Sequence, residues 1–142
     1  MASITLAQAQ AIASATLRKA RELALKPLTV AVLDAGGHMV ALQRENGSSN
    51  LRPAIAAAKA SGALALGVSS RKIGEMAAER PTFVGSLSGI ASGGVIPAAG
   101  GLIVVAADGA VIGAVGVTGD TSDNDEICAY AGIAAAGLNA QS

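Results

Sequence analysis

The sequence predicts an α+β domain, an antiparallel sheet built from two hairpins with helices packed on it. Three observations carry this. The β-rich runs Leu28–Asp34 and His38–Gln43 flank the turn Ala35-Gly36-Gly37, whose two glycines are expected to supply positive φ. A second pair, Gly101–Ala107 and Val111–Val117, flanks Asp108-Gly109-Ala110. Helix-patterned segments precede, separate and follow the hairpins, so strands and helices do not alternate as in a doubly wound fold.

Taken in order, the first helix is expected over about Leu6 to Leu25. Thr5 and Gln8 form a capping box, since each side chain can satisfy a backbone donor of the first turn. Lys26-Pro27 stops it, because the residue before proline is pushed out of the α region. After the first hairpin, Gly47–Asn50 forms a loop, with Asn50 as N-cap of a helix from Leu51 to about Leu66. A third helix spans about Ser70–Glu79 and ends at Arg80-Pro81. Thr82–Ala91 forms a short fourth, interrupted by Gly85 and Gly89. The continuous apolar character of the second hairpin places cover on both of its faces. Thr121 or Ser122 caps a last helix reaching about Leu138.

With 142 residues the chain is a single domain, 1–142, large enough to bury a core. Ten basic residues balance ten acidic ones, and Phe83 and Tyr130 are the only aromatics. That combination excludes the basic footprint and stacking platforms of a nucleic-acid binder. The longest apolar stretch, Ala98–Ala107, is far shorter than the roughly 20 residues of a membrane span. The opening MASITLAQAQ has neither a basic nor an apolar signal region, so a cytoplasmic location is expected. Small apolar side chains with few charges point to a homo-oligomer that buries helix faces between subunits. One cysteine, Cys128, and one histidine, His38, leave no multi-cysteine or two-histidine metal site.

Arg44, Arg52 and Lys59 cluster around the loop Gly47–Asn50. With the backbone donors of the following helix they would make an anion or carboxylate site, or else serve as solubilising charges. Lys59 lies in an almost wholly apolar helix and either snorkels to solvent or points into a pocket. His38 is a candidate haem-iron ligand or acid–base group, and otherwise a water-facing turn residue. Met39, Met76, Cys128 and Tyr130 are weaker haem-ligand candidates. The pairs Gly93-Gly94 and Gly100-Gly101 bring backbone close to a ligand or to other backbone. Gly113–Gly119 is spaced G-x-x-G-x-x-G and lacks a following lysine, which excludes a phosphate loop. Asp120, Asp123, Asp125 and Glu126 read as helix N-terminal acids. No G-x-S-x-G elbow supports a Ser48 or Ser49 triad with His38 and Asp34.

VAVLDAGGHMVALQRENG, AAAKASGALALG and GAVIGAVGVTGDTSDNDEICAYAGIAA together resemble the GlcG/HbpS family over about Ser3 to Leu138. That family includes haem-binding and haem-degrading proteins and the corrinoid-binding C-terminal domain of PduO adenosyltransferases. The resemblance implies a profilin-like α/β/α sandwich, assembled into tetramers or octamers, with a ligand pocket near the Arg44-Glu45-Asn46-Gly47 loop and the Lys59 helix. It makes haem the expected cofactor, with cobalamin second. On this reading His38 is an axial ligand, Arg44, Arg52 or Lys59 meet the propionates, and Gly100 and Gly101 line the pocket. Two other functions stand beside it. One is an enzyme acting on an oxo- or hydroxy-carboxylate, with Arg44 and Arg52 as carboxylate clamp and Lys59 as acid–base or electrophilic group. The other is a structural or regulatory subunit.

Overall fold

A computed structural model describes residues 2–141. The elements run α1 (Leu6–Glu22), β1 (Thr29–Asp34), β2 (Met39–Arg44), α2 (Arg52–Leu66), α3 (Ser70–Glu79), α4 (Pro81–Leu87), β3 (Gly101–Val105), β4 (Val111–Thr118), α5 (Ser122–Ala135) and β5 (Asn139–Ala140). The α+β expectation holds. Both hairpins form, and β1 joins them by pairing with β4, giving the antiparallel order β2-β1-β4-β3-β5.

Strand alternation separates two layers of cover. Val30 and Val32 of β1, with Val115 and Val117 of β4, enter the main core beneath α1 and α5, beside Ile12, Cys128 and Ile133. Leu33 and Ala114 face the other way and pack on Ala60 of α2. Because α2 lies mainly over β1, β4 and β3, it leaves the edge strand β2 partly open. None of the helices among the described residues is long and apolar enough to cross a membrane.

Several boundaries differ from the sequence expectation for local reasons. The capping box at Thr5 and Gln8 forms, but α1 ends at Glu22 and Ala24 takes a left-handed φ of 54°. The Arg21 guanidinium donates to the carbonyls of Leu25 and Lys26, both at 2.9 Å, and holds the chain out of the helix before Pro27 is reached. Asn50 does not cap α2, which begins at Arg52 with Pro53 in its first turn and no side-chain cap. At the first turn only Gly37 takes positive φ, since an Asp34 carboxylate oxygen accepts from the N–H groups of both Gly36 and His38 and supplies the rest of the turn. The fourth helix covers only Pro81–Leu87. After α5, Gly137 turns the chain so that Ala140 pairs with Val104, a short edge strand that the sequence pattern did not reveal.

Asp120 ties the joint between β4 and α5. Its carboxylate accepts from the backbone of Lys26 and Thr121 and from the Asn124 amide. These bonds, the Asn124 amide first, hold its pKa at about 2, below the ordinary 3.8. The unfolded chain therefore takes up this proton first, and the contribution is lost as pH falls through about 4 towards 2. Urea midpoints measured from pH 6 to pH 2.5 are expected to fall less steeply for Asp120→Asn than for the parent.

Candidate functional site

Lys59 sits where α2 crosses the ends of β3 and β4. Its side chain is 4% exposed, and Nζ donates to the Val117 carbonyl at 2.9 Å and stands 3.4 Å from Asp125 Oδ2. The other Asp125 oxygen accepts from the Asp120 N–H at 3.0 Å. Burial is the leading influence on both groups. It pushes the Lys59 ammonium down and the Asp125 carboxyl up, while their mutual attraction opposes both shifts. Lys59 therefore neither snorkels nor lines an open pocket. It is one half of a buried ion pair joining α2 to α5 across the end of the sheet.

Gly100 and Gly101 belong to this junction. A Cβ at Gly100, whose φ is +126°, would lie 2.9 Å from Lys59 Nζ. One at Gly101 would overlap the Lys59 carbonyl. Their smallness lets α2 backbone seat directly on β3.

Arg52, at the first turn of α2, donates from Nη1 to Thr118 Oγ1 at 2.7 Å. Arg44, at the end of β2, lines a surface cleft of about 470 Å³ with Arg21, Pro27, Glu45 and Asn46. The Glu45 carboxylate in that cleft is held by Arg21 at 3.2 Å and by the Leu28 N–H at 2.8 Å, whereas Arg44 forms no ion pair among the described residues.

His38 occupies the opposite end of β2. Six residue steps of extended chain separate it from Arg44, about 20 Å at roughly 3.3 Å per residue. Its side chain is 82% exposed, with Nδ1 3.4 Å from Asp34 Oδ1. The His38 backbone N–H, joined by that of Gly36, keeps the Asp34 carboxyl below its usual range. Asp34 is thus an anion fixed beside one imidazole nitrogen. The adjoining Gly36 and Gly37, with Ser61, Leu64 and Ala65 of α2 and Ser92, line a concavity of about 240 Å³.

The candidate residues thus fall into three places. Lys59, Gly100 and Gly101 meet in the buried junction, with Arg52 two turns away on nearly the same face of α2. Arg44 stands in a cleft at the sheet end, and His38 stands at the far turn. Asp125 lies in the first turn of α5, as the sequence suggested, but serves there as the counter-ion of Lys59, and Thr121 is the cap that accepts from the Asn124 N–H. One signal could have found it. Asp125, Cys128, Ala129, Gly132 and Ile133 form a single buried stripe at helical spacing, so this acid lies on the core face.

A five-stranded antiparallel sheet between α1–α5 and α2, with a carboxylate beside the histidine at its first turn, defines an α+β domain. The chain belongs to the HbpS-like family, described as haem degrading protein HbpS-like, which it matches over residues 4–134. The crystal structure of the Klebsiella pneumoniae protein ORFY is 30% identical, with 96% of this chain and 92% of that one covered and a TM-score of 0.85. HbpS is 29% identical, with 94% and 90% covered and a TM-score of 0.81. A PduOC:heme complex is similar in fold, with a TM-score of 0.86 over 99% of both chains at 21% identity. None of the curated proteins matches the chain.

Proposed function

We propose that this protein binds haem or a related tetrapyrrole, with His38 as the iron ligand, and that it works as a homo-oligomer. The observation that carries the reading is the Asp34–His38 pair. A histidine that ligates metal commonly gives its second ring nitrogen to a carboxylate, which sets the tautomer and orients the free nitrogen. Asp34 stands at Nδ1, which leaves Nε2 of an exposed imidazole directed away from that carboxylate.

The surroundings fit a tetrapyrrole as one wall of a site. Gly36, Gly37 and Ala65 leave a floor without bulky side chains, and Leu64 adds an apolar one. The concavity of about 240 Å³ is below the roughly 300 Å³ at which ligand pockets usually begin, so a flat ligand would lie over it and not inside it. Bound haem would supply iron at His38. The chain's own part is to hold the imidazole, keep Asp34 ionised behind it and offer the small-residue floor. Membership of a family described by haem degradation supports this choice over cobalamin. His38→Ala is expected to abolish the axial-ligand signature in the Soret region and to weaken haemin affinity at least tenfold. Because His38 is exposed, its thermal midpoint should stay at the parent value.

The cleft holding Arg44 favours a second reading, in which a small oxo- or hydroxy-carboxylate pairs with its unpaired guanidinium. Lys59, buried against Asp125 at the same end of the sheet, would then act through the frame of α2. Calorimetric titration of small oxo-acids into the parent and into Arg44→Gln separates this reading from the first.

A further inference from the structure

A row of side chains across one end of the sheet holds hydrogen-bonding capacity and charge that the fold does not use. Thr29 of β1 is in register with Arg44 of β2 on one side and with Thr118 of β4 on the other. Directly opposed residues project from the same face of a sheet, so the three form one row. Arg52 shows which face this is, because its Nη1 donates to Thr118 Oγ1 at 2.7 Å from the first turn of α2.

Thr29 is fully buried, and its Oγ1 has no hydrogen-bond partner among the described residues. Ser48 Oγ, in the loop between Arg44 and α2, is likewise buried without a partner. The large majority of buried side-chain polar atoms are paired, so two orphans here leave room for a group from outside the chain. The charge at this end is also uncompensated. Neither Arg44 nor Arg52 forms an ion pair among the described residues. The neighbouring carboxylates are already committed, Glu45 to Arg21, Asp125 to Lys59 and Asp120 to the donors at Lys26, Thr121 and Asn124. The uncapped first turn of α2 adds potential of the same sign. At roughly 4.8 Å per strand, the backbones of Arg44 and Thr118 stand about 10 Å apart, so the two guanidiniums serve opposite ends of the row. Its outer end opens into the cleft that Arg44 lines, and its inner end lies beneath α2.

We infer that this row binds a small dicarboxylate, with one carboxylate on Arg44 at the cleft and the other on Arg52 and the Thr29 hydroxyl. Arg52 keeps Nε and Nη2 for that contact, since only Nη1 is engaged. Thr29 is sealed from solvent, so the ligand enters by displacing cover, and the Gly47–Asn50 loop joining the Arg44 strand to the Arg52 helix is the segment placed to move. This inference rests on the carboxylate reading of the Arg44 cleft, which it narrows from one acid group to two, and it is independent of haem at His38.

Malate and lactate differ by one carboxylate and make the test. Both, with inorganic phosphate, are titrated calorimetrically into the full chain and into Arg44→Gln, Arg52→Gln and Thr29→Val. Malate is expected to bind at least tenfold tighter than lactate or phosphate, and each arginine variant should remove that advantage. Thr29→Val should weaken malate at least threefold while its urea midpoint does not fall, because the substitution removes an orphaned hydroxyl. If Arg52→Gln does not fold, Thr29→Val and the malate-to-lactate ratio decide. Lactate or phosphate bound as tightly as malate, or malate affinity unchanged in Thr29→Val, overturns the dicarboxylate inference. Where acid binding is still lost in Arg44→Gln, the carboxylate reading of the cleft survives that result. A parent that binds neither acid at millimolar concentration overturns both.

Discussion

Lys59→Ala is expected to destabilise the protein by about 3–5 kcal/mol, the cost of leaving a buried charge without its partner. The Asp125 carboxylate would remain sealed between α2 and α5, and the Val117 carbonyl would lose its donor. Against the 5–15 kcal/mol that holds a typical domain, such a loss puts a large fraction of molecules at risk near 37 °C. Replacing both partners by apolar groups of similar volume should behave differently. Lys59→Met with Asp125→Leu is expected to recover part of the loss, because it removes both desolvation costs together but leaves the Val117 carbonyl and the Asp120 N–H without their partners. Urea unfolding of the two single variants and the double variant gives the coupling directly. Losses that simply add in the double variant would show that the two groups are not coupled and that volume, and not charge pairing, matters at this junction.

Gly116→Ala is expected to cost more than about 4 kcal/mol, the range reserved for severe structural conflict. A Cβ at Gly116 would overlap the Ala56 carbonyl, and that contact is backbone on both sides. No rotamer can relieve it, so α2 would have to lift from β4. Gly85→Ala in α4 is the matched control, because its new Cβ meets nothing within 4 Å and alanine favours the helix by about 0.5–1 kcal/mol. Denaturant midpoints of the two variants should therefore move in opposite directions. Loss of soluble Gly116→Ala protein alongside normal recovery of Gly85→Ala meets the same expectation.

Most of the fold was legible in the sequence because it rests on short-range signals. Both hairpins announce themselves by turn residues between β-rich runs, and Thr5, Ser69 and Thr121 all cap the helices they precede. The cross-pairing of β1 with β4 has no such local mark, and neither does β5, whose two residues depend wholly on the edge they meet. The site was legible in parts. Gly100-Gly101 signalled a close approach, but spacing could not decide between ligand and backbone, and the partner is Lys59. Arg44, Arg52 and Lys59 looked like one cluster because they are near in sequence. Strand direction sends Arg44 to the sheet end and His38 to the far turn, while helix rotation sends Lys59 inward. Only tertiary packing reveals that Lys59 needs Asp125, 66 residues away.

The most direct test of the haem reading is a haemin titration of the parent protein and His38→Ala, followed in the Soret region. The account predicts a saturable, shifted band at stoichiometric haemin for the parent and loss of that band in His38→Ala. An identical bound spectrum in the two proteins, or only the spectrum of free haemin in the parent, would contradict it.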